Sequence, residues 1–166
     1  MRQLISIPIL VLAVILQSAV FSRVTLLSGA ADLPLVVLAA WALQEQVDTA
    51  WQWALAAGAL AGFVSGMPIV VPLIAYLLVV LIAQALQRRV WQAPLLAMFV
   101  VTFVGTLLLH LLSLGTLRLL GIPLQIPDVL GLITLPAVLL NLLIAIPVFA
   151  VMRDLAVWVY PLPEVL

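Results

Sequence analysis

Side chains that could perform chemistry are sparse in this chain, and the most regular group of them lies in an apolar stretch at 94–114. Thr102, Thr106 and His110 are spaced four residues apart, so they share one face of a helix. Polar side chains of an apolar helix face the interior of a bundle or a water-filled path. His110 could therefore relay protons or contact a substrate. It could equally be a neutral imidazole that is hydrogen-bonded to a hydroxyl or carbonyl group of a neighbouring helix.

The positions of the acidic residues favour the second alternative. Every Asp and Glu is predicted to lie at a helix end or in a loop, so His110 has no acid inside the membrane with which to exchange protons. Asp32 and Asp128 are predicted on the extracytoplasmic side, where they could meet Arg23 or Arg118. Such exposed pairs are usually structural and contribute about 0–1 kcal/mol.

The remaining polar residues do not form a reaction centre. No Ser/His/Asp grouping has a usable spacing, and one histidine without any cysteine cannot supply a metal cluster. We therefore expect no enzymatic activity, no cofactor, and no catalytic or metal-binding residue. Asn141 joins Thr102, Thr106 and His110 as a candidate buried polar residue. It would hydrogen-bond between helices, as would Gln17, Ser18 and Gln84.

The elements that carry these residues follow from the composition. The chain has 166 residues, of which 67% are hydrophobic and 7% charged, and its mean hydropathy is +1.43. A soluble domain carries roughly 25% charged residues, so the surface of this protein must face lipid. Its formal net charge is zero, which leaves no electrostatic footprint for a nucleic acid.

Apolar stretches of membrane-spanning type recur along the whole chain. A spanning helix needs about 20 apolar residues, and the second and third stretches are short by this measure. We predict an all-α polytopic membrane protein, a single transmembrane domain over residues 1–166 built as a bundle of about six helices. The predicted spans are 4–21, 31–44, 50–65, 68–86, 94–114 and 129–152.

The charges and tryptophans predict the orientation. Six spans place both termini on one side, and arginine is more frequent on the cytoplasmic side of membrane proteins. Four arginines fall on the side of the termini, against Arg23 and Arg118 on the other, so both termini are predicted to be cytoplasmic. The four are Arg2, Arg88, Arg89 and Arg153. The tryptophans, which prefer the headgroup layer, fall at helix ends on the same side; they are Trp41, Trp51, Trp53, Trp91 and Trp158.

Small residues recur every fourth position in the third predicted helix. Ala54, Gly58, Gly62 and Gly66 form one ridge along the helix without side chains standing above it. Lipid tails are as apolar as leucine, so close backbone approach is what holds membrane helices together. The ridge is a candidate for packing within the bundle, which we favour, or for contact with a partner.

The same stretch resembles the MreD family of small integral membrane proteins of the bacterial rod-shape system. The family typically reads GxLAGLLLDLLSG followed by SPLGxxALAYLLVGYLAG, and this chain reads ALAAGALAGFVSG at 54–66 and MPIVVPLIAYLLVVLIAQ at 67–84. Upstream, ILQSAVFSRVTLLSGAADLP resembles the LQS and G-x-x-P-D-L segments of the family. Near the end, LPAVLLNLLIAIPVFAVMRDL resembles its last helix. The positions that match are Gly58, Ser65, Gly66, Pro68, Tyr76 and Asn141.

The sequence departs from the family pattern at three positions. Gly62 replaces an acidic residue, Ala31 replaces a proline, and Val70 replaces a glycine. The resemblance implies a non-catalytic scaffold of the elongasome in the bacterial cytoplasmic membrane. Its direct partner would be MreC through membrane helices, and its indirect partners would be MreB, RodA and a penicillin-binding transpeptidase. The packing or partner interface would use the ridge with Tyr76, or the face of Thr102, Thr106 and His110.

Transport is the alternative function. A six-helix protein of this size is also similar in architecture to the substrate-binding components of energy-coupling-factor vitamin transporters. Those proteins usually carry an AxxxA ridge on the first helix, whereas this chain has Ala13 and Ala19 there. They also need polar groups that converge on an extracytoplasmic pocket, which the loop around Arg118 and Asp128 could supply.

Overall fold

The computed structural model describes residues 6–21, 23–89 and 93–160, with the backbone alone at residues 6, 7 and 21. It is mostly helical (79%). We number six helices, α1 to α6, and one two-stranded hairpin, β1–β2. Their bounds are α1 Ser6–Leu16, continued by a π-helical segment Gln17–Phe21; β1 Thr25–Leu26; β2 Gly29–Ala30; α2 Leu33–Ala42; α3 Ala50–Ser65; α4 Val70–Gln87; α5 Pro94–Leu119; and α6 Ile126–Val159.

Three of the helices are long and apolar enough to cross a membrane, namely α4, α5 and α6. This agrees with the all-α membrane protein expected from the sequence in its coarse form. Two further apolar helices, Pro8–Val20 and Leu33–Ala42, are shorter than a membrane span. The number of crossings, the orientation of the termini and the likeness to transporter components stay predictions, and Arg2 and Trp91 lie outside the described residues.

The short helix α2 forms the centre of the bundle. All ten of its residues are buried, and it contacts each of the other five helices. Ten residues rise about 15 Å, which is half the thickness of a hydrocarbon layer of about 30 Å. The predicted span at 31–44 is therefore a half-length helix in the structure, shielded from lipid by the longer helices around it.

Helices α3 and α4 pack with their backbones in close contact. A Cβ atom added at Gly58 would lie 2.7 Å from Leu73 Cα, and one at Gly62 would lie 2.8 Å from Ile69 Cα. Both distances are shorter than a carbon–carbon contact permits, so only glycine fits at these two crossings. Gly66 has a different role, because it ends α3 in the left-handed conformation with φ +67°, as is usual for a helix C-cap.

The hairpin is hydrogen-bonded to an irregular part of α6. Residues Val129–Thr134 of α6 are π-helical, and Pro136 follows two residues later. Proline has no N–H group, so Pro136 cannot donate to the carbonyl of Leu132 four residues earlier. The N–H of Ser28 donates to that carbonyl instead, at 2.9 Å. Gly29 permits the approach, since a Cβ atom there would meet the backbone of α6.

An aromatic cluster lies at the C-terminal end of α2, away from the hairpin. Trp41 stacks on Trp53 of α3 with ring centroids 4.4 Å apart, and the ring of Tyr160 lies 6.3 Å from Trp41. Trp51 and Trp158 are 48% and 73% exposed near the same end. The four described tryptophans thus lie at one end of the bundle, as expected, whichever side of a membrane this end faces.

Candidate functional site

The start of α2 is buried, so its backbone N–H groups need partners inside the protein. The side chain of Gln17 accepts from the N–H of Leu33 at 2.8 Å and donates to the carbonyl of Ala31 at 2.6 Å. The side chain of Asn141 accepts from the N–H of Asp32 at 2.7 Å. Asp32 itself caps the helix by accepting from the N–H of Leu35 at 3.0 Å.

Two features of the local sequence make this start possible. Asp32 is the N-cap residue, and its short carboxylate can reach back to the first turn. Pro34, at the second helical position, has no N–H group to satisfy. The first turn of α2 is therefore fully hydrogen-bonded without water.

Tyr76 of α4 extends this arrangement to a fourth helix. Its hydroxyl lies 3.0 Å from both carboxylate oxygens of Asp32, to which it donates, and the residue is 2% exposed. The hydroxyl thus fixes the plane of the carboxylate. Tyr76, expected at a helix-packing or partner interface, is buried between helices of this chain, and its hydroxyl belongs with the buried polar residues.

Asn141 continues the chain of hydrogen bonds into α5. Its Nδ2 donates to Thr106 Oγ1 at 2.9 Å, and that hydroxyl donates to the carbonyl of Thr102 at 2.7 Å. Asn141 and Thr102 are fully buried, and Thr106 is 1% exposed. The Thr102 hydroxyl is buried and has no partner within the described part of the chain. We call the connected residues the Asp32 node; they are Gln17, Asp32, Tyr76, Thr106 and Asn141.

The node lies deep in the bundle. Thr106 and Asn141 are near the middle of the 26-residue α5 and the 34-residue α6. Both helices are long enough to cross a membrane, and the node lies beside their midpoints. Asp32 is at a helix end, as the sequence indicated, but this helix begins inside the bundle, beside Asn141 and Tyr76. An acid therefore lies where the sequence placed none.

Two cavities of about 320 Å³ and 510 Å³ meet at the node. The smaller one reaches towards the loops after α3 and α5, and the larger one towards α1 and the hairpin. Both are within the size range of small-molecule sites, about 300–1,000 Å³. Six residues line both cavities: Asp32, Ala61, Ser65, Tyr76, His110 and Ile133.

His110 lies beside the node rather than in it. Its Nδ1 is 3.0 Å from the Thr134 hydroxyl of α6, which is the structural pairing that the sequence favoured. Because the ring also lines both cavities, the residue has contact with the space in front of Asp32. Among the described residues, no Arg or His nitrogen lies within 4.0 Å of the Asp32 carboxylate. The pairing of Asp32 with Arg23 or Arg118 is therefore absent there.

The ridge residues divide into two groups. Ala54, Gly58 and Gly62 are buried, and the two glycines lie against α4. Gly66 faces open space, with nothing within 4 Å of a Cβ atom placed on it. The ridge therefore ends at Gly62, and its glycine surface is already covered by this chain.

The sequence predicted an interhelical hydrogen bond for Gln17, which the structure shows, but it did not predict a buried site around Asp32. The signal was present in Asp32-Leu33-Pro34, which is typical of a helix start with an acidic N-cap and proline in the first turn. What the sequence did not indicate is the depth at which this helix begins.

The described residues contain no group of three or more His, Asp or Glu side chains placed to hold a metal ion. Comparisons with protein-family models, with curated proteins and with solved structures gave no match to this chain.

Proposed function

We propose that this chain is a non-catalytic membrane scaffold of the MreD type, which binds MreC through membrane helices and supports rod shape and peptidoglycan synthesis in a bacterial cytoplasmic membrane. The proposal rests on the resemblance of four separate stretches of sequence to that family. One observation supports treating them as a single pattern: residues from all four stretches meet at the Asp32 node.

The four contributions are specific. The LQS segment supplies Gln17, which bonds Leu33 N–H. The segment that resembles the P-D-L entry supplies Asp32 itself. The AYLL segment supplies Tyr76, which donates to the carboxylate, and the last helix supplies Asn141, which accepts from Asp32 N–H. Of the six positions that match the family pattern, Tyr76 and Asn141 both lie in the node, each hydrogen-bonded to Asp32.

The surface that would contact MreC must lie outside the two faces suggested by the sequence. The glycine ridge is covered by α4, Thr106 is hydrogen-bonded to Asn141 of α6, and Thr102 is fully buried. Replacing Gly58 and Gly62 by leucine would therefore disturb the fold and would not report on a partner. The test needs variants of the partner instead.

The experiment is co-expression with the MreC encoded nearest to this gene, followed by detergent extraction and size exclusion. A matched control is the same MreC with its spanning helix replaced by an unrelated apolar helix of equal length. A stoichiometric complex with the native helix and none with the replaced helix is the expected result. Equal recovery of both would contradict contact through the membrane, and recovery of neither would remove the scaffold function.

Transport is the second candidate, and the cavities at the node are the observation that favours it. A substrate-binding component needs a pocket with a few polar groups in an otherwise apolar wall. Co-purification with an energising ATPase module, in the absence of any complex with MreC, would select this function over the scaffold.

A further inference from the structure

The cavities around Asp32 contain one acidic side chain and no nearby cation among the described residues. Their walls are mostly apolar, with contributions from Ala61, Leu114 and Ile133, while one carboxylate faces the space. A carboxylate at this depth is expensive unless opposite charge or hydrogen-bond donors compensate it. The structure supplies donors from Leu35 N–H and the Tyr76 hydroxyl, and no cation within 4.0 Å in the described residues.

The hydrogen bonds leave one side of the carboxylate open. Oδ1 accepts from Leu35 N–H, and the two oxygens share the single proton of the Tyr76 hydroxyl, which lies 3.0 Å from each. A carboxylate offers about four acceptor positions, so Oδ2 retains capacity for another donor. The group that would complete it is a cation with N–H bonds, because such a group supplies both charge and a hydrogen bond.

We propose that the joined cavities bind a molecule that has a protonated primary amine and an apolar body. The amine contacts the Asp32 carboxylate, and the body occupies the apolar space towards α1 or towards the loop between α5 and α6. Tyr76 acts as a positioning residue that holds the carboxylate plane. His110 lines the same space and supplies a further polar contact.

Two sources could provide this chemistry, an aminophospholipid headgroup or a soluble amine. The larger cavity is lined by Val14 and Ser18 of the first helix and by Val64 of α3, residues that border the outer surface of the bundle. A headgroup could enter there from the lipid. The smaller cavity is bordered by Met67 and Leu124 of the two loops, which is the route for a soluble amine.

The test uses the full chain in nanodiscs of phosphatidylcholine, whose headgroup has no N–H donor. Three probes with the same apolar body are compared by thermal shift: phenylbutylamine, phenylbutanol and phenylbutyrate. The amine should stabilise the protein saturably and bind at least about tenfold more tightly than the alcohol or the acid. Equal binding of amine and alcohol would overturn the proposal, and this comparison requires no variant.

Two variants locate the amine. Asp32→Asn keeps a side-chain oxygen for the helix cap but removes the charge, and it should weaken amine binding roughly thirtyfold or more, because it removes one partner of a desolvated ion pair. Asp154→Asn removes one charge at an exposed position and should leave binding unchanged. Persistence of amine binding in Asp32→Asn would place the amine elsewhere. Should that variant fail to fold, Ala61→Phe, which fills the shared wall, must abolish amine binding.

Adding phosphatidylethanolamine to the nanodiscs separates the two sources. Loss of phenylbutylamine binding identifies the lipid headgroup as the occupant, and unchanged binding identifies a soluble amine. The inference does not rest on the scaffold function: a complex with MreC could form without amine binding, and amine binding could occur without MreC.

Discussion

Two neighbouring regions of the bundle hold helices together in different ways. Where α3 crosses α4, Gly58 and Gly62 bring the backbones into contact, and neither glycine carries a side chain to adjust. At the start of α2, side chains from four helices reach towards one another through hydrogen bonds and leave open space on one side. The contact between α3 and α4 requires that no side chain is present at the two glycines. The contact at the start of α2 requires polar side chains at the correct positions.

This difference predicts which positions of the protein tolerate substitution. A backbone contact cannot accommodate an added atom, because the nearest atoms belong to the backbone of the opposing helix and cannot rotate away as a side chain can. A hydrogen-bonded node beside a cavity can lose one atom without moving a helix, and its cost is then that of the missing bond. Four sets of variants, in order of decreasing expected loss of stability, test this distinction.

The largest effect is expected for Gly58→Ala. The added Cβ would lie 2.7 Å from Leu73 Cα, so α3 and α4 must separate, and we expect a loss of about 3 kcal/mol or more. Gly115→Ala is the matched control, since nothing lies within 4 Å of a Cβ atom there. The measurement is unfolding by SDS titration in mixed micelles. Similar stability of the two variants would mean that the ridge contact is not rigid.

The next effect is expected for Asn141→Leu, which leaves Asp32 N–H without an acceptor. A buried donor left unsatisfied costs about 1–3 kcal/mol. Thr102→Val provides the control from the adjacent turn, because the Thr102 hydroxyl is buried without a partner in the described chain, and its removal should be neutral or slightly stabilising. If both variants lose stability equally, the hydrogen bonds of the node do not determine its energy.

A smaller effect is expected for Tyr76→Phe, which removes one hydroxyl and keeps the ring. Interhelical hydrogen bonds in membrane proteins contribute about 0.6–2 kcal/mol, and we expect a loss within this range. The double variant Tyr76→Phe with Asp32→Asn checks the pairing, since its loss should be less than the sum of the two single losses. Strict additivity would exclude a direct interaction between the two side chains.

The smallest effect is expected for Gly66→Ala, at the position that shares the ridge spacing but not its contact. The φ of +67° makes a side chain unfavourable by about 1 kcal/mol, and open space means that no helix has to move. Gly66→Asn should recover part of the loss, because Asn tolerates this conformation. If Gly66→Ala loses as much stability as Gly58→Ala, Gly66 must also lie in a contact between helices.

Much of the helical pattern could be predicted from apolar runs alone. The stretches 50–65 and 68–86 correspond closely to α3 and α4, which begin and end at Ala50, Ser65, Val70 and Gln87. The last two helices are longer than predicted, because α5 continues past Gly115 to Leu119 and α6 continues past Arg153 and Asp154 to Val159. The polar residues that bound the apolar stretches therefore do not end these helices. Periodicity also placed Thr102 and Thr106 correctly on an inner face.

The site could be predicted only in part, for a physical reason. Asp32 and Asn141 are 109 residues apart in sequence, and nothing in the local pattern indicates that α2 begins inside the bundle. That depth is set by packing: the hairpin β1–β2 turns back into the bundle and bonds to α6 at Leu132. From the sequence alone, where this hydrogen bond is not visible, a helix of ten apolar residues cannot be distinguished from a shortened membrane span.

The pairing of Asp32 with Asn141 has a consequence for how the protein is made. The acceptor for Asp32 N–H belongs to the last helix, so a nascent chain that has formed only its first five helices lacks a partner for this buried group. We expect such a chain to be recognised by membrane quality-control proteases. Maturation of the centre of the protein would thus be one of the last events of its biogenesis.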